Sequence, residues 1–236
     1  MRIAIIGTMR SGSSILGDMV SKVETYNRPD HINLKEHYHR VYHFDKETIS
    51  PTDLTKRIFN EYKSNFTLKI LGFHLSDYGL DPKIFELEKY DKRICLERYD
   101  FFERCCSFQV AKNTGIFHLN RKRKHLFDEN RDKQFTLTFK RIKKMSIDLE
   151  NYLILKKYLI DNNLTFELMT YDQVEENPLR LSMPRISNDY DYSQMITNYH
   201  LRDTINSLAN ECFNFLTCLS KTNIFLKEVQ VLFNKV

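Results

Sequence analysis

Apolar residues fall along the chain in short blocks separated by longer amphipathic stretches. Ile3 to Ile6 form a continuous apolar run that stops at Gly7. Thr67 to Phe73 (TLKILGF), Lys92 to Glu97 (KRICLE) and Thr165 to Thr170 (TFELMT) have the same character. Blocks of this length, bounded by polar or turn residues, read as buried strands. Between them the period lengthens. Ile15, Leu16, Met19 and Val20 form one helical stripe. Ile142, Met145, Leu149, Leu153, Leu155 and Leu159 form another, on a long helix from Phe139 to Asn162. Shorter helices are expected over Thr52–Glu61, Pro82–Lys89 and Asp100–Asn113, the last capped by Asp100 and followed by Gly115. The polar, histidine-rich stretch from Asn27 to Asp45 reads as loop, with helix around Lys35 to His43. After Pro178 and Pro184 the pattern is helical again, over Tyr192–Leu219 and once more near the end.

Strands alternating with helices imply an open, mostly parallel sheet with helices on both faces. The expected fold is therefore α/β: a P-loop-type open parallel β-sheet flanked by helices. We expect one domain, with the α/β core over residues 1–180 and a helical C-terminal extension over 181–236. In such sheets ligands sit at the carboxyl ends of the strands. The loops after the first three strands are thus the expected working surface.

Composition narrows the function classes. Hydrophobic residues make up 42% and charged residues 28%, which suits a soluble globular chain. The net charge of +5 suits small anions and does not by itself imply nucleic acid. The basic runs Arg121–His125 and Lys140–Lys144 lack the aromatic interleaving of a nucleic-acid surface. The second reads as a solvated face. The first stays open between a solvated face and contact with an anionic ligand. Five cysteines without CxxC spacing indicate neither a disulfide framework nor a zinc site, so a reducing, cytoplasmic setting is expected. A strand starting at residue 2 leaves no room for a signal peptide, and no apolar run approaches the ~20 residues of a membrane span. The helical tail could support a homodimer.

Candidate chemistry lies first in the loop Thr8-Met9-Arg10-Ser11-Gly12-Ser13-Ser14. A strand, a glycine loop and a helix start in this order build an anion cradle, because unpaired N–H groups and the helix dipole both favour negative charge there. Gly7 and Gly12 have the spacing of GxxxxGK[ST], but Ser13 stands where the lysine belongs. That disfavours a nucleoside triphosphatase, which needs the lysine on the phosphates and magnesium on the next hydroxyl. Arg10 supplies a forked cation earlier in the loop. A second group follows the third strand, where Arg98 stands at the strand end and Ser107 nine residues later on the next helix.

Together the two groups resemble the signature of sulfotransferases that use 3′-phosphoadenosine 5′-phosphosulfate. The RSG[ST][ST] loop of that family matches Arg10-Ser11-Gly12-Ser13-Ser14. Its later arginine and serine match Arg98 and Ser107, within a stretch similar to the RxNxxxQAVSxxxAxxTG pattern of bacterial carbohydrate sulfotransferases. Asp100, Ala111, Thr114 and Gly115 fit that pattern, while Arg104, Cys105 and Cys106 depart from it. A weaker echo lies at Thr170-Tyr171-Asp172, where the family often has YED. The resemblance covers residues 1 to about 125. It implies that Arg10, Ser11, Gly12, Ser13 and Ser14 bind the 5′ phosphosulfate and that Arg98 and Ser107 bind the 3′ phosphate, with no metal. It also implies a carbohydrate or glycolipid acceptor.

Sulfuryl transfer needs a base for the acceptor hydroxyl and a cation for the bridging oxygen. Arg10 suits the second task. For the first, the resemblance points to Glu36, in a segment similar to NLGEYF, and to His74 at the end of the second strand, with Asp30 in reserve. Two rivals stay open: a P-loop nucleotide-binding kinase-like enzyme, and a non-catalytic nucleotide-binding protein of the same fold.

Overall fold

The computed structural model describes residues 1–22, 30–33, 55–56, 58–60, 66–77, 81–116, 129–130, 132–177 and 191–234. The chain divides into two compact units, one of residues 1–97 and 148–180, the other of residues 98–147 and 181–236.

The first unit is built on a five-stranded sheet whose pairings are all parallel. Its strands are β1 (Arg2–Gly7), β2 (Asp30–Asn33), β3 (Phe66–Leu71), β4 (Lys92–Glu97) and β5 (Glu167–Thr170), in the order β2-β3-β1-β4-β5. Ile3, Ala4, Ile5 and Ile6 are fully buried because β1 is the central strand. Apolar side chains on both faces of a strand are the mark of a sheet covered on both sides. Gly7 pairs in register with Leu71 and Leu96, so the loops after β1, β3 and β4 leave the sheet at one edge. Helix α1 (Ser13–Lys22) follows β1 and α2 (Gly72–Asp77) follows β3 directly.

Two expectations fail in this unit. Asp30–Asn33 (DHIN) is a strand paired with β3, not loop. Four polar-flanked residues carry too short an alternation to announce a strand, and its pairing comes from the tertiary fold. Pro82–Lys89 is not one helix but two 3-10 turns, Pro82–Phe85 and Leu87–Lys89, broken at Glu86 with φ +46°.

In the second unit, α3 (Phe101–Thr114) starts at Asp100 and ends at Gly115, which takes φ +73°. The long helix α4 (Phe139–Asp161) lies in the second unit up to Ile147 and in the first from Asp148. Helix α5 (Tyr171–Glu176) returns to the first unit, and α6 (Tyr192–Met195), α7 (Arg202–Cys212) and α8 (Thr222–Phe233) complete the second. Phe101, Phe213 and Phe225 pack as an aromatic cluster with centroids 5.2 to 6.2 Å apart. The helical stretch expected over Tyr192–Leu219 is divided between α6 and α7 and stops at Cys212, where it gives way to a two-residue ladder, β6 (Phe213–Asn214) with β7 (Leu219–Ser220). Asn214 is the breaker, because its side-chain oxygen accepts the N–H groups of Leu216 and Thr217 at 3.0 Å each and closes a turn in competition with helix. Cys218 in the same turn has φ +54°. All five cysteines are buried free thiols. Among the described residues no helix is long and apolar enough to cross a membrane.

Asp100 ties α3 to α7. Its carboxylate accepts the Glu103 N–H at 2.8 Å, the Asn206 amide at 3.0 Å and the Arg202 guanidinium at 2.6 Å. Burial alone would raise its pKa, but the Glu103 N–H, Asn206 and Arg202 together hold it below the ordinary carboxylate range. A carboxyl depressed in the folded state stabilises above its unfolded pKa and loses that contribution as pH falls through the folded value. Asp100→Asn keeps a capping oxygen and removes the charge. At neutral pH it should cost about 1–2 kcal/mol, part of it discounted because Arg202 is partly exposed. The gap in chemical-denaturation midpoints between wild type and variant should close as pH falls below the usual carboxylate value near ~4. A gap that is the same at all pH values would contradict this.

Candidate functional site

The loop between β1 and α1 is held from inside the first unit. Ser11 is fully buried, and its hydroxyl donates to the Thr8 carbonyl at 2.7 Å, closing the turn. The Ser11 side chain is therefore a brace. Leu16 N–H donates to the Gly12 carbonyl at 3.0 Å, so the helix hydrogen bonding starts there. Helix geometry leaves the first N–H groups, at Ser13, Ser14 and Ile15, without intrahelical acceptors, and these are the donors that suit an anion. Gly12 has φ +87°, and a Cβ there would lie 2.7 Å from the Tyr171 ring. Glycine is required on both counts. Arg10, without glycine's freedom, has φ +63°. A non-glycine residue held in the left-handed region is costly and persists where the surroundings impose it, commonly at ligand sites.

Tyr171 reaches Gly12 because of a capping box. Thr170 accepts the Gln173 N–H, and the Gln173 side chain accepts the Thr170 N–H at 2.8 Å, which fixes the first residue of α5. The family echo at Thr170-Tyr171-Asp172 thus falls on a segment that packs against the loop.

A carboxylate that the sequence did not single out links this loop to the one after β3. Asp148, fully buried on α4, accepts the Met9 N–H at 2.7 Å with one oxygen and the Phe73 N–H at 2.8 Å with the other. The helix backbone itself lies against Gly72, where a Cβ would sit 1.9 Å from the Asp148 carbonyl oxygen. Lys69, in the middle of β3, is 3% exposed and donates to the Ser14 hydroxyl at 2.9 Å. At the end of β4, buried Glu97 accepts from Lys156 at 2.8 Å and from the Tyr152 hydroxyl at 3.0 Å.

Of the candidate bases, His74 and Asp30 lie among the described residues. His74 lies in α2 rather than at the strand end, and it is fully buried. Its Nδ1 accepts the Leu71 N–H at 3.0 Å, and its ring packs edge-on against Phe73 with centroids 4.3 Å apart. An imidazole that accepts at Nδ1 carries its proton on Nε2 when neutral, so as placed His74 can donate but not take a proton there. Glu36 lies outside the described residues, as does the basic run 121–125. The backbone of Asp30 is level with Phe66 at the amino end of the sheet. That is about 16 Å along the strand from the loop edge, so the reserve base is not at the expected working surface.

Arg98 and Ser107 belong to the second unit. Arg98 sits 3.5 Å from the Glu103 carboxylate, which also accepts the Tyr199 hydroxyl at 2.8 Å. Burial and this acceptor push the Tyr199 hydroxyl up. Ser107 is buried on α3, two turns from its start. Arg104, in place of the family's glutamine, is fully buried with its guanidinium 5.6 Å from the Phe101 ring centroid. Three further cations, Lys112, Arg141 and Lys144, lie within 5.9 Å of the Phe108 ring centroid, next to Ser107 in sequence. Arg141 and Lys144 come from the run expected to be a solvated face. Lys140, Lys143 and Lys144 are exposed, whereas Arg141 is half-buried.

Lys69, Asp148 and Tyr171 are thus the residues at the loop whose roles the sequence did not give. No protein-family model matches the chain, and no curated protein shows significant similarity to it.

Proposed function

We propose that the protein is a sulfotransferase that moves a sulfuryl group from 3′-phosphoadenosine 5′-phosphosulfate to an acceptor hydroxyl, on a carbohydrate or glycolipid. The observation that carries this is the loop after the central strand. It combines a left-handed Arg10, a left-handed Gly12 and a serine-rich helix start, all at the carboxyl edge of a parallel sheet. The backbone N–H groups of Ser13 and Ser14 would take the 5′ phosphosulfate, with Arg10 offsetting charge on the bridging oxygen. Gly12 lets the loop close under Tyr171. Arg98 and Ser107 would take the 3′ phosphate, with Arg98 released from Glu103 in exchange for a doubly charged partner. Glu36 is the proposed base. Nucleotide in the P-loop manner, a cytoplasmic setting and a homodimer belong to the same proposal.

A kinase-like reading needs a carboxylate at the end of a core strand to hold a metal. The carboxylate at that point, Glu97, is already engaged by Lys156 and Tyr152. This observation favours sulfuryl transfer over phosphoryl transfer from a metal-bound triphosphate.

Arg98→Ala tests the assignment of the 3′ end. It should weaken binding of 3′,5′-adenosine bisphosphate by roughly tenfold or more in calorimetry and leave AMP affinity nearly unchanged. An equal loss for both nucleotides would show that Arg98 does not read the 3′ phosphate.

A further inference from the structure

Strand β3 is buried along its whole length, yet its fourth residue is a lysine. Burying an amine is expensive unless something requires it. The side chain of Lys69 runs to the Ser14 hydroxyl, with 2.9 Å between Nζ and Oγ. Ser14 is the second residue of α1 and follows Ser13, which holds the lysine position in the Gly7 to Gly12 spacing. In loops with a complete GxxxxGK[ST], the hydroxyl at the Ser14 position holds a magnesium ion and the lysine before it reaches the phosphates. Here that hydroxyl holds an amine from the neighbouring strand.

We propose that Lys69 supplies the cation the loop lacks at Ser13, and that its ammonium takes the place of a divalent metal at the Ser14 hydroxyl. The ligand class is a monoester phosphate or phosphosulfate bound at the start of α1, held without a divalent cation. The proposal rests on the anion-binding reading of this loop and adds to it the source of the charge. Arg10 belongs to the loop itself and Lys69 to the strand beside it, so a dianion at the start of α1 would draw on one cation from the loop and one from the sheet.

The test uses AMP, which has a 5′ phosphate and no 3′ phosphate. Wild-type affinity, measured by calorimetry, should be the same within about twofold in EDTA and in excess magnesium. Lys69→Met has a similar volume, and replacing a buried charge with an apolar side chain is often neutral or stabilising. The variant should therefore melt at the same temperature or higher while losing AMP affinity by about tenfold or more. A lysine with a purely structural role would alter the melt and leave affinity alone. Lys69→Gln keeps a polar head for Ser14 and loses only the charge; it should show the same loss, and it serves if the methionine variant does not fold. Unchanged affinity in either folded variant, or wild-type binding that requires magnesium, would overturn the proposal. Dependence on Lys69 with no gain from a 3′ phosphate would leave it standing and remove the sulfuryl-donor reading. A preference for the bisphosphate that is indifferent to Lys69 would do the reverse. Failure of the wild type to bind either nucleotide would overturn both.

Discussion

Asp148→Ala should lower the stability of the protein by about 3–5 kcal/mol and abolish anion binding at the β1 loop with it. The carboxylate is fully buried and spends one oxygen on Met9 N–H and the other on Phe73 N–H. Hydrogen bonds to an ionised acceptor are worth more than neutral ones, and truncation leaves two backbone donors without their acceptor. The consequence is local as well as global. Met9 directly precedes Arg10, the residue held at φ +63°, and that conformation lasts only while its surroundings impose it. Asp148→Asn separates the two effects. An amide oxygen can still accept one N–H, but its NH2 then faces the other donor, so about half of the stability loss is expected. Denaturant titrations of the three proteins, paired with AMP affinities for the folded fractions, check this. A loss below about 1 kcal/mol for the alanine variant would show that the two loops hold their shape without the carboxylate.

Gly72→Ala carries the second large effect. The new methyl group would lie 1.9 Å from the Asp148 carbonyl oxygen and 2.9 Å from the Tyr152 N–H, both backbone atoms of α4. No rotamer change relieves a clash with helix backbone. Overpacking usually costs about 1–3 kcal/mol, and more where the neighbour cannot yield, so a loss above about 3 kcal/mol is expected. Gly115→Ala is the matched control. That residue also has a special conformation, φ +73°, but a Cβ there meets nothing within 4 Å. Its cost should be only the left-handed penalty of about 1–2 kcal/mol. Equal losses in the two variants would mean that α4 moves away from Gly72 at little cost.

How much the sequence revealed depended on whether a residue's role had a local signature. Lys92–Glu97 and Phe139–Asp161 agree with their patterns almost to the residue, the first because a compact apolar block marks a buried strand, the second because its apolar stripe repeats over 23 residues. Asp100 and Gly115 were legible as caps because capping is a property of a few consecutive residues. Strand β2 was not, because DHIN is short and polar and its partner β3 lies over thirty residues away. The tail was misjudged at Asn214, whose side chain closes a turn that the apolar spacing does not register.

The site divides along the same line. The spacing of Gly7 and Gly12 announced the loop, and both glycines stand in close quarters. Lys69 and Asp148 act across long sequence distances, so no motif spacing marks them. A signal was nevertheless present. Each is a charged residue where the pattern demands an apolar one: Lys69 within a continuously buried strand, Asp148 on the stripe that runs from Met145 to Leu149 and Tyr152. His74 is the converse case, a residue whose local setting is not visible in its type. The residue type and its place after the strand suggested chemistry, while its Nδ1 serves the Leu71 backbone.

In the proposed function, a nucleotide would be recognised by both its 5′ and its 3′ phosphate. Calorimetric titration of the wild-type protein with 3′,5′-adenosine bisphosphate and with AMP, in the same buffer and at the same salt, tests it most directly. The account predicts that the bisphosphate binds at least roughly tenfold more tightly than AMP. Equal affinity for the two nucleotides would contradict it.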